Sequence, residues 1–260
     1  MKSLLSKLLL VVFPILATPY VTFSQTDTIN ISKNELQIQY LKEGLHQYLV
    51  YFENPKKQRL GGMSIWNRHV TFKKQNEVET IEIKQHWYLS DTLFNRYVYS
   101  ISNKKNFAPI YHYTKSSRGT EAFDFYKDKI SGADTVLNNS KNDFAVMLTA
   151  PTLNWELDLE VFSTLPFKRV GQKFYINFYH PGGRSEPKYY KYDIVGSEKL
   201  NGVEGGSFDC WKMKIDYDKD SWAIFWISKK SKEVIKMQEY FRGGYRYKVK
   251  LATVIPLTQL

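Results

Sequence analysis

The chain has 260 residues, of which 43% are hydrophobic, 24% charged and 16% aromatic, with only 14 Gly and 9 Pro. This excludes disordered, collagen-like and low-complexity classes. The length suits one large β-sheet unit or two small ones. The 19 Tyr, 16 Phe and 6 Trp favour strands, because aromatic rings fit a pleated, half-buried surface, and the formal charge of +11 favours anionic partners.

At the N-terminus, Lys2 and Lys7 precede an apolar run over residues 8–17, and Thr22 and Ser24 stand before Gln25. That pattern predicts a signal peptide over 1–24 and a mature chain of 25–260. Pro14, Thr18, Pro19 and Thr22 break the run short of the roughly 20 apolar residues that a membrane span needs. No later stretch reaches that length, so the mature chain is expected to have no transmembrane helix. The only cysteine, Cys210, is remote from the apolar run, so neither an N-terminal lipid anchor nor an intramolecular disulfide is expected. The expected location is the periplasm. Loss of Lys2 and Lys7 lowers the charge of +11 by two. The remaining lysines are spread along the chain, many in pairs at turns, which argues for a solvated surface or membrane and envelope contact and against nucleic acid.

Ser32 and Glu35 form a capping-box pattern ahead of 36–41 and predict one short helix. From there the dominant period is two. Ile81, Ile83, Trp87 and Leu89 alternate with Glu82, Lys84, His86 and Tyr88, and Trp211, Met213, Ile215 and Tyr217 alternate with Cys210, Lys212, Lys214 and Asp216. Tyr245, Tyr247, Val249 and Leu251, read as the buried face of another strand, alternate with Arg246, Lys248 and Lys250. Similar runs at 46–52, 63–72, 94–101, 108–114, 121–126, 173–178, 188–195, 222–228 and 234–241 bring the total to about a dozen strands. Turn signals such as Gly61-Gly62, Pro181-Gly182-Gly183 and Gly243-Gly244 separate them. The result is an antiparallel meander in two strand sets, 45–135 and 170–254. The segment between them, 152–165, carries both a four-residue and a two-residue apolar period, and Pro151 and Pro166 at its ends favour a helix. The expected fold is mostly β, a large curved antiparallel sheet or unclosed β-barrel with one or two short helices.

Chemistry-bearing patterns are sparse. His46, His69, His86, His112 and His180 are scattered singly, although His86 and His112 invite a comparison across nearby strands, and no metal or other cofactor is expected. Cys210 lacks any surrounding nucleophile signature. Glu156 and Glu160 fall on one face of the predicted helix and read first as a solvated acidic stripe, second as the one acid pair available for glycoside hydrolysis. Gly182-Gly183-Arg184 lacks the partners of a phosphate loop and reads as a hairpin turn. No catalytic residue is assigned. The surplus lies in the aromatic rows: Tyr97, Tyr99, Tyr111, Tyr113, Trp211, Trp222 and Trp226 are the expected walls of an apolar groove on the concave face.

Several of these stretches resemble known sequences. Glu156-Leu157-Asp158 through Leu165-Pro166, Val170-Gly171-Gln172-Lys173-Phe174, Cys210-Trp211-Lys212, Phe225-Trp226-Ile227-Ser228 and Val234-Ile235-Lys236 resemble a family of exported Bacteroidota proteins of unknown function. Ser90-Asp91-Thr92-Leu93-Phe94 and Ile110-Tyr111-His112-Tyr113 extend that resemblance over nearly all of the mature chain. The order of elements in the second half is also similar to domains related to the periplasmic lipoprotein-sorting carriers, the LolA-like fold. That resemblance implies an unclosed β-barrel whose apolar concave side is covered by helices and accepts acyl chains. The chain departs from it in having fewer helices and more numerous, longer strands, and no catalytic residue carries over.

The expected function is therefore non-enzymatic binding of a lipid or lipoprotein-like ligand. A carbohydrate-binding or cell-envelope structural module is the alternative, and a carboxylate-based hydrolase the third reading. Oligomeric state is not legible in the sequence.

Overall fold

A computed structural model of the protein describes residues 26–75, 77–183, 185–202 and 206–252; the expected signal peptide and Arg184 lie outside them. The strands are β1 (Thr26–Ile29), β2 (Gly44–Glu53), β3 (Arg59–Gln75), β4 (Val78–Leu89), β5 (Arg96–Asn103), β6 (Pro109–Ser116), β7 (Gly119–Phe125), β8 (Lys129–Gly132), β9 (Ala145–Met147), β10 (Leu153–Asn154), β11 (Lys173–Tyr179), β12 (Lys188–Asn201), β13 (Ser207–Asp218), β14 (Ser221–Ser228), β15 (Val234–Phe241) and β16 (Gly244–Lys250). Among the described residues one α-helix, α1, covers Asp158–Ser163.

All of these strands belong to one unclosed, curved sheet in the order β1-β11-β12-β13-β14-β15-β16-β2-β3-β4-β5-β6-β7-β8-β9, with β10 also on β11. The two strand sets are consecutive antiparallel meanders, and the last strand of the second lies beside the first strand of the first, with Lys248 opposite Val50. Among the strands named above parallel pairing occurs only at β11, which receives β1 along Thr26–Ile29 and β10 along Leu153–Asn154. Local chemistry matches the pairing. Between β15 and β16, Arg242 and Gly243 have φ of 50° and 74°, the all-positive pair that a two-residue hairpin of the right twist requires.

The helix expected over 36–41 is replaced by two 3₁₀ turns, Ile31–Lys33 and Ile38–Tyr40. Asn30 rather than Ser32 caps the first, accepting the Ser32 N–H, and Glu35 accepts the Asn30 N–H. The helix expected over 152–165 is also shortened: β10 is followed by a 3₁₀ turn, Trp155–Leu157, and then by α1.

Every residue of α1 is buried. It lies on the inner face of the curve, where Leu157, Leu159, Val161, Phe162 and Leu165 join Phe174, Ile176, Tyr192, Met213, Phe225 and Met237 in the main core. Burial of each such side chain stabilises the fold by about 1.5–3 kcal/mol. A smaller cluster of Phe123, Phe125, Ile130 and Tyr179 closes the β7–β9 end. Among the described residues no helix is long and apolar enough to cross a membrane.

Candidate functional site

The apolar filling of the inner face ends at the Trp155–Leu157 turn, and charged residues take over. Alternation along β3, β4 and β5 brings Trp66 and Arg68, Gln85 and Trp87, and Arg96 to the inner face, since Trp87 pairs with both Trp66 and Arg96 and Gln85 with Arg68. From β15 and β16 come Glu239, Arg246 and Lys248, again in register. All of these but Gln85, together with Trp155, Glu156, Asp158, Tyr217 and His180, line a cleft of about 470 Å³.

Arg68 is 1% exposed, and its donors are almost fully used. Nε and Nη2 reach the two oxygens of Glu160 at 2.6 and 2.5 Å, Nη1 donates to Gln85 Oε1 at 2.8 Å, and Nη2 also donates to the Glu156 carbonyl at 2.8 Å. Gln85 Oε1 also accepts from Trp87 Nε1 at 3.0 Å. This two-pronged contact has the geometry that makes arginine–carboxylate pairs strong. It ties α1 to β3 and β4.

Glu156 is held separately, by Arg96 Nη2 at 2.9 Å and His180 Nε2 at 3.4 Å. Burial alone would raise its carboxyl, but Arg96 and His180 outweigh it and hold the group down at about 2. His180 is positioned by a turn that only glycine allows: a Cβ on Gly182 (φ +72°) would stand 2.9 Å from Phe123, and one on Gly183 2.8 Å from the His180 carbonyl. Behind Glu156, His112 is buried against Ser100 Oγ and the Asn154 amide, both 2.9 Å from Nδ1. Burial pushes its imidazole down to about 3, so it stands neutral at physiological pH and Nδ1 accepts the Asn154 N–H. With Ser100 and His112 each 1% exposed, this pair supports Asn154 and has no access for a substrate.

Across the sheet runs a row in which two stacked indoles lie between two cations. Lys248 Nζ lies 4.7 Å from the Trp66 ring, Trp66 and Trp87 stack at 3.7 Å with an interplanar angle of 6°, and the Arg96 guanidinium lies 4.6 Å from Trp87. An adjoining cleft of about 650 Å³ shares Trp87, Arg96 and His180 and adds Leu89, Phe94, Pro181, Arg118 and Glu121.

A family model described as "Protein of unknown function (DUF3108)" matches residues 47–250. The chain belongs to the DUF3108 family. The match spans β2 to β16 and with them every cleft residue named above. No curated protein matches the chain. Among solved structures it is similar to a beta-barrel-like protein of domain of unknown function DUF1849 from Brucella abortus, with 9% identity, a TM-score of 0.49, and coverage of 80% of this chain and 97% of that one.

In this DUF3108 chain the seven aromatic residues expected to wall the groove do not meet there. Tyr97 and Tyr99 pair with His86 and Lys84 on the outer face, Tyr111 and Tyr113 pair with Ile101 and Tyr99, and their rings meet edge-on at 6.0 and 6.2 Å. The inner positions of β5 and β6 are instead Val98, Ser100, Ser102, His112 and Thr114, all buried. Trp222 is also on the outer face, stacked on Tyr240. So is Trp226, which donates to Glu198 at 3.1 Å and is flanked by Lys212 and Lys236. Trp211 alone points inward, where it packs on Phe167 and Lys229 away from the cleft. Ring size was the misleading signal, because cross-strand aromatic pairs stabilise an exposed face as well as a buried one.

Three further expectations are corrected. Glu156, Asp158 and Glu160 are all buried rather than solvated, and arginines from β5 and β3 meet two of them, Glu156 and Glu160. In β16 the inner face is Arg246, Lys248 and Lys250, while Tyr247 stacks outside on Tyr51 at 4.9 Å. His86 and His112 do not meet: β5 separates their strands, and they face opposite sides. Among the described residues no group of His, Cys, Asp or Glu is gathered as a metal ion would need.

The residues that sequence reasoning passed over in this DUF3108 domain are Trp66, Arg68, Trp87, Arg96 and Lys248. A signal existed for Arg68, which shares its face with Trp66 and Val70 in an otherwise apolar alternation. A charge on a buried face announces a partner elsewhere in the chain.

Proposed function

We propose that the chain is a non-enzymatic, exported binding protein that takes an apolar or amphipathic ligand at the mouth of its inner face. The observation that carries this reading is the composition of the two adjoining clefts. In the first, charge is buried against Trp66, Trp155 and Tyr217; in the second, Trp87, Leu89 and the exposed Phe94 stand among Arg96, Arg118 and Glu121. Walls that set large apolar side chains beside charged ones suit a ligand that carries both a polar and an apolar part. The unclosed sheet with a helix on its inner face supports the barrel-like part of the LolA-like resemblance, while its six-residue helix is less cover than that resemblance implies. Lys2, Lys7 and the apolar run behind them support export to the periplasm.

The hydrolase reading is weakened because its two acids are each committed to a different arginine, Glu156 to Arg96 and Glu160 to Arg68, whereas paired carboxylates in glycosidases flank a shared substrate bond. Carbohydrate binding retains one observation in its favour, the outer-face tyrosines of β5 and β6. Stacking on the indoles is less suited to it, since Lys248, Arg96 and the indoles themselves already occupy one another's faces.

Native mass spectrometry of the protein purified from cell envelopes, before and after solvent extraction, tests the proposal. Near-stoichiometric extractable lipid is the expected result. A clean apo mass together with retention on polysaccharide would replace it by the carbohydrate reading.

A further inference from the structure

The ion pairs around the first cleft leave two charges over. Arg68 is matched by Glu160, Arg96 by Glu156, and Arg246 by Glu239, whose carboxylate lies 2.6 Å from the arginine Nε. Lys248 and Asp158 remain. Lys248 is 5% exposed, and among the described residues its side chain forms no ion pair or hydrogen bond; its Nζ lies over the face of Trp66. Asp158 is 8% exposed, and among the described residues only its own neighbour's N–H, that of Leu159 at 2.8 Å, donates to its carboxylate. Both line the same cleft without touching each other.

Two unmatched charges of opposite sign, each more than nine-tenths buried, are costly unless something answers both. Burial lowers the Lys248 ammonium, and Arg246 and Arg68 add to that, while Asp158 and Glu239 oppose it, so the site favours a further anion at Lys248. The surroundings are sorted in the same sense. Arg246 stands two residues from Lys248 on the same face of β16. Trp155 lies next to Tyr217, with ring centroids 5.9 Å apart, and both line the cleft with Asp158, which suits a cation that can rest on aromatic faces.

We infer that the cleft binds a zwitterionic group, its anionic end on Lys248 and Arg246 and its ammonium on Asp158 beside Trp155 and Tyr217. A zwitterion answers both charges at once, whereas a lone anion or cation leaves one of them unmatched. The chemistry is that of a phosphoethanolamine headgroup or of a free ethanolamine phosphodiester. The inference rests on the proposed inner-face binding of an amphipath, which specifies the first of these sources.

Isothermal titration of the purified protein with four probes separates the possibilities. These are lysophosphatidylethanolamine, lysophosphatidic acid and monoacylglycerol of equal chain length, and soluble glycerophosphoethanolamine. The zwitterionic lysolipid is expected to bind at least ten-fold more tightly than the other two lipids. Lys248→Met and Asp158→Asn should each weaken it ten-fold or more, while Asp158→Asn leaves lysophosphatidic acid binding unweakened. Monoacylglycerol or lysophosphatidic acid binding as tightly as the zwitterion would overturn the inference and leave inner-face lipid binding standing. Glycerophosphoethanolamine binding as tightly as the lysolipid would support the charge pair and overturn the amphipath reading. Binding of no probe would overturn both. The series on the unaltered protein decides even where a variant does not fold.

Discussion

Taking the Arg68 guanidinium out of water costs several kcal/mol, and the two-pronged Glu160 contact, with Gln85 and the Glu156 carbonyl, offsets that cost only while all of them are present. Glu160→Gln leaves a buried cation half matched and is expected to lower stability by about 3–5 kcal/mol, read from the urea midpoint at neutral pH. Arg68→Met combined with Glu160→Leu removes both charges and is expected to lose less than the single change. A double variant as unstable as the sum of its singles would show that the two side chains act independently. This scale is the least legible in sequence. The alternation of Trp66, Arg68 and Val70 places Arg68 inward, but nothing local to it identifies Glu160, 92 residues away, as its partner. The inward position of Lys248 is hidden in the sequence for a related reason: the tyrosines alternating with it have an outer stack of their own.

At the scale of elements, α1 is a six-residue helix far below the length at which a helix holds in water by itself, so tertiary packing maintains it. Phe162 supplies much of that packing, edge-on to Tyr192 at 5.2 Å and to Phe225 at 4.8 Å. Phe162→Ala is expected to cost about 3–5 kcal/mol, seen as a lower thermal and urea midpoint; an unchanged midpoint would mean that the helix is dispensable to the core. The strands were the legible part. Expected runs such as 46–52 and 234–241 lie within or match β2, Gly44–Glu53, and β15, Val234–Phe241. Period two identifies a half-buried strand wherever the chain keeps it for seven or eight residues. The segment 152–165 was ambiguous because Leu153, Leu157 and Val161 satisfy both periods, and the structure uses both, a short strand at β10 and a helix after it. β1, β8 and β9 are too short to carry a pattern of their own.

For the whole molecule, the decisive contact is the seam between β16 and β2, where the end of one meander meets the start of the other. Two strand sets could be read in sequence, but nothing in either states which edges join, since β-pairing across a long separation leaves no local signature. The seam converts two edges into interior strands. A chain ending at Gly243 lacks β16 and exposes the edges of β2 and β15, which are templates for pairing with other copies. Light scattering after size exclusion is expected to give a mass that is larger and more concentration-dependent than that of the full chain. An unchanged mass and melting curve would show that the two meanders stand without the seam.

The stacked indoles of Trp66 and Trp87 have a consequence of another kind. Rings 3.7 Å apart and within 6° of parallel share their excited states, so the pair absorbs as a coupled chromophore rather than as two separate ones. Its circular dichroism band is set by the angle and spacing of the two rings, and both rings line the cleft. Any occupant that slides one indole against the other alters that band without a label attached, so the molecule carries its own optical gauge of the site.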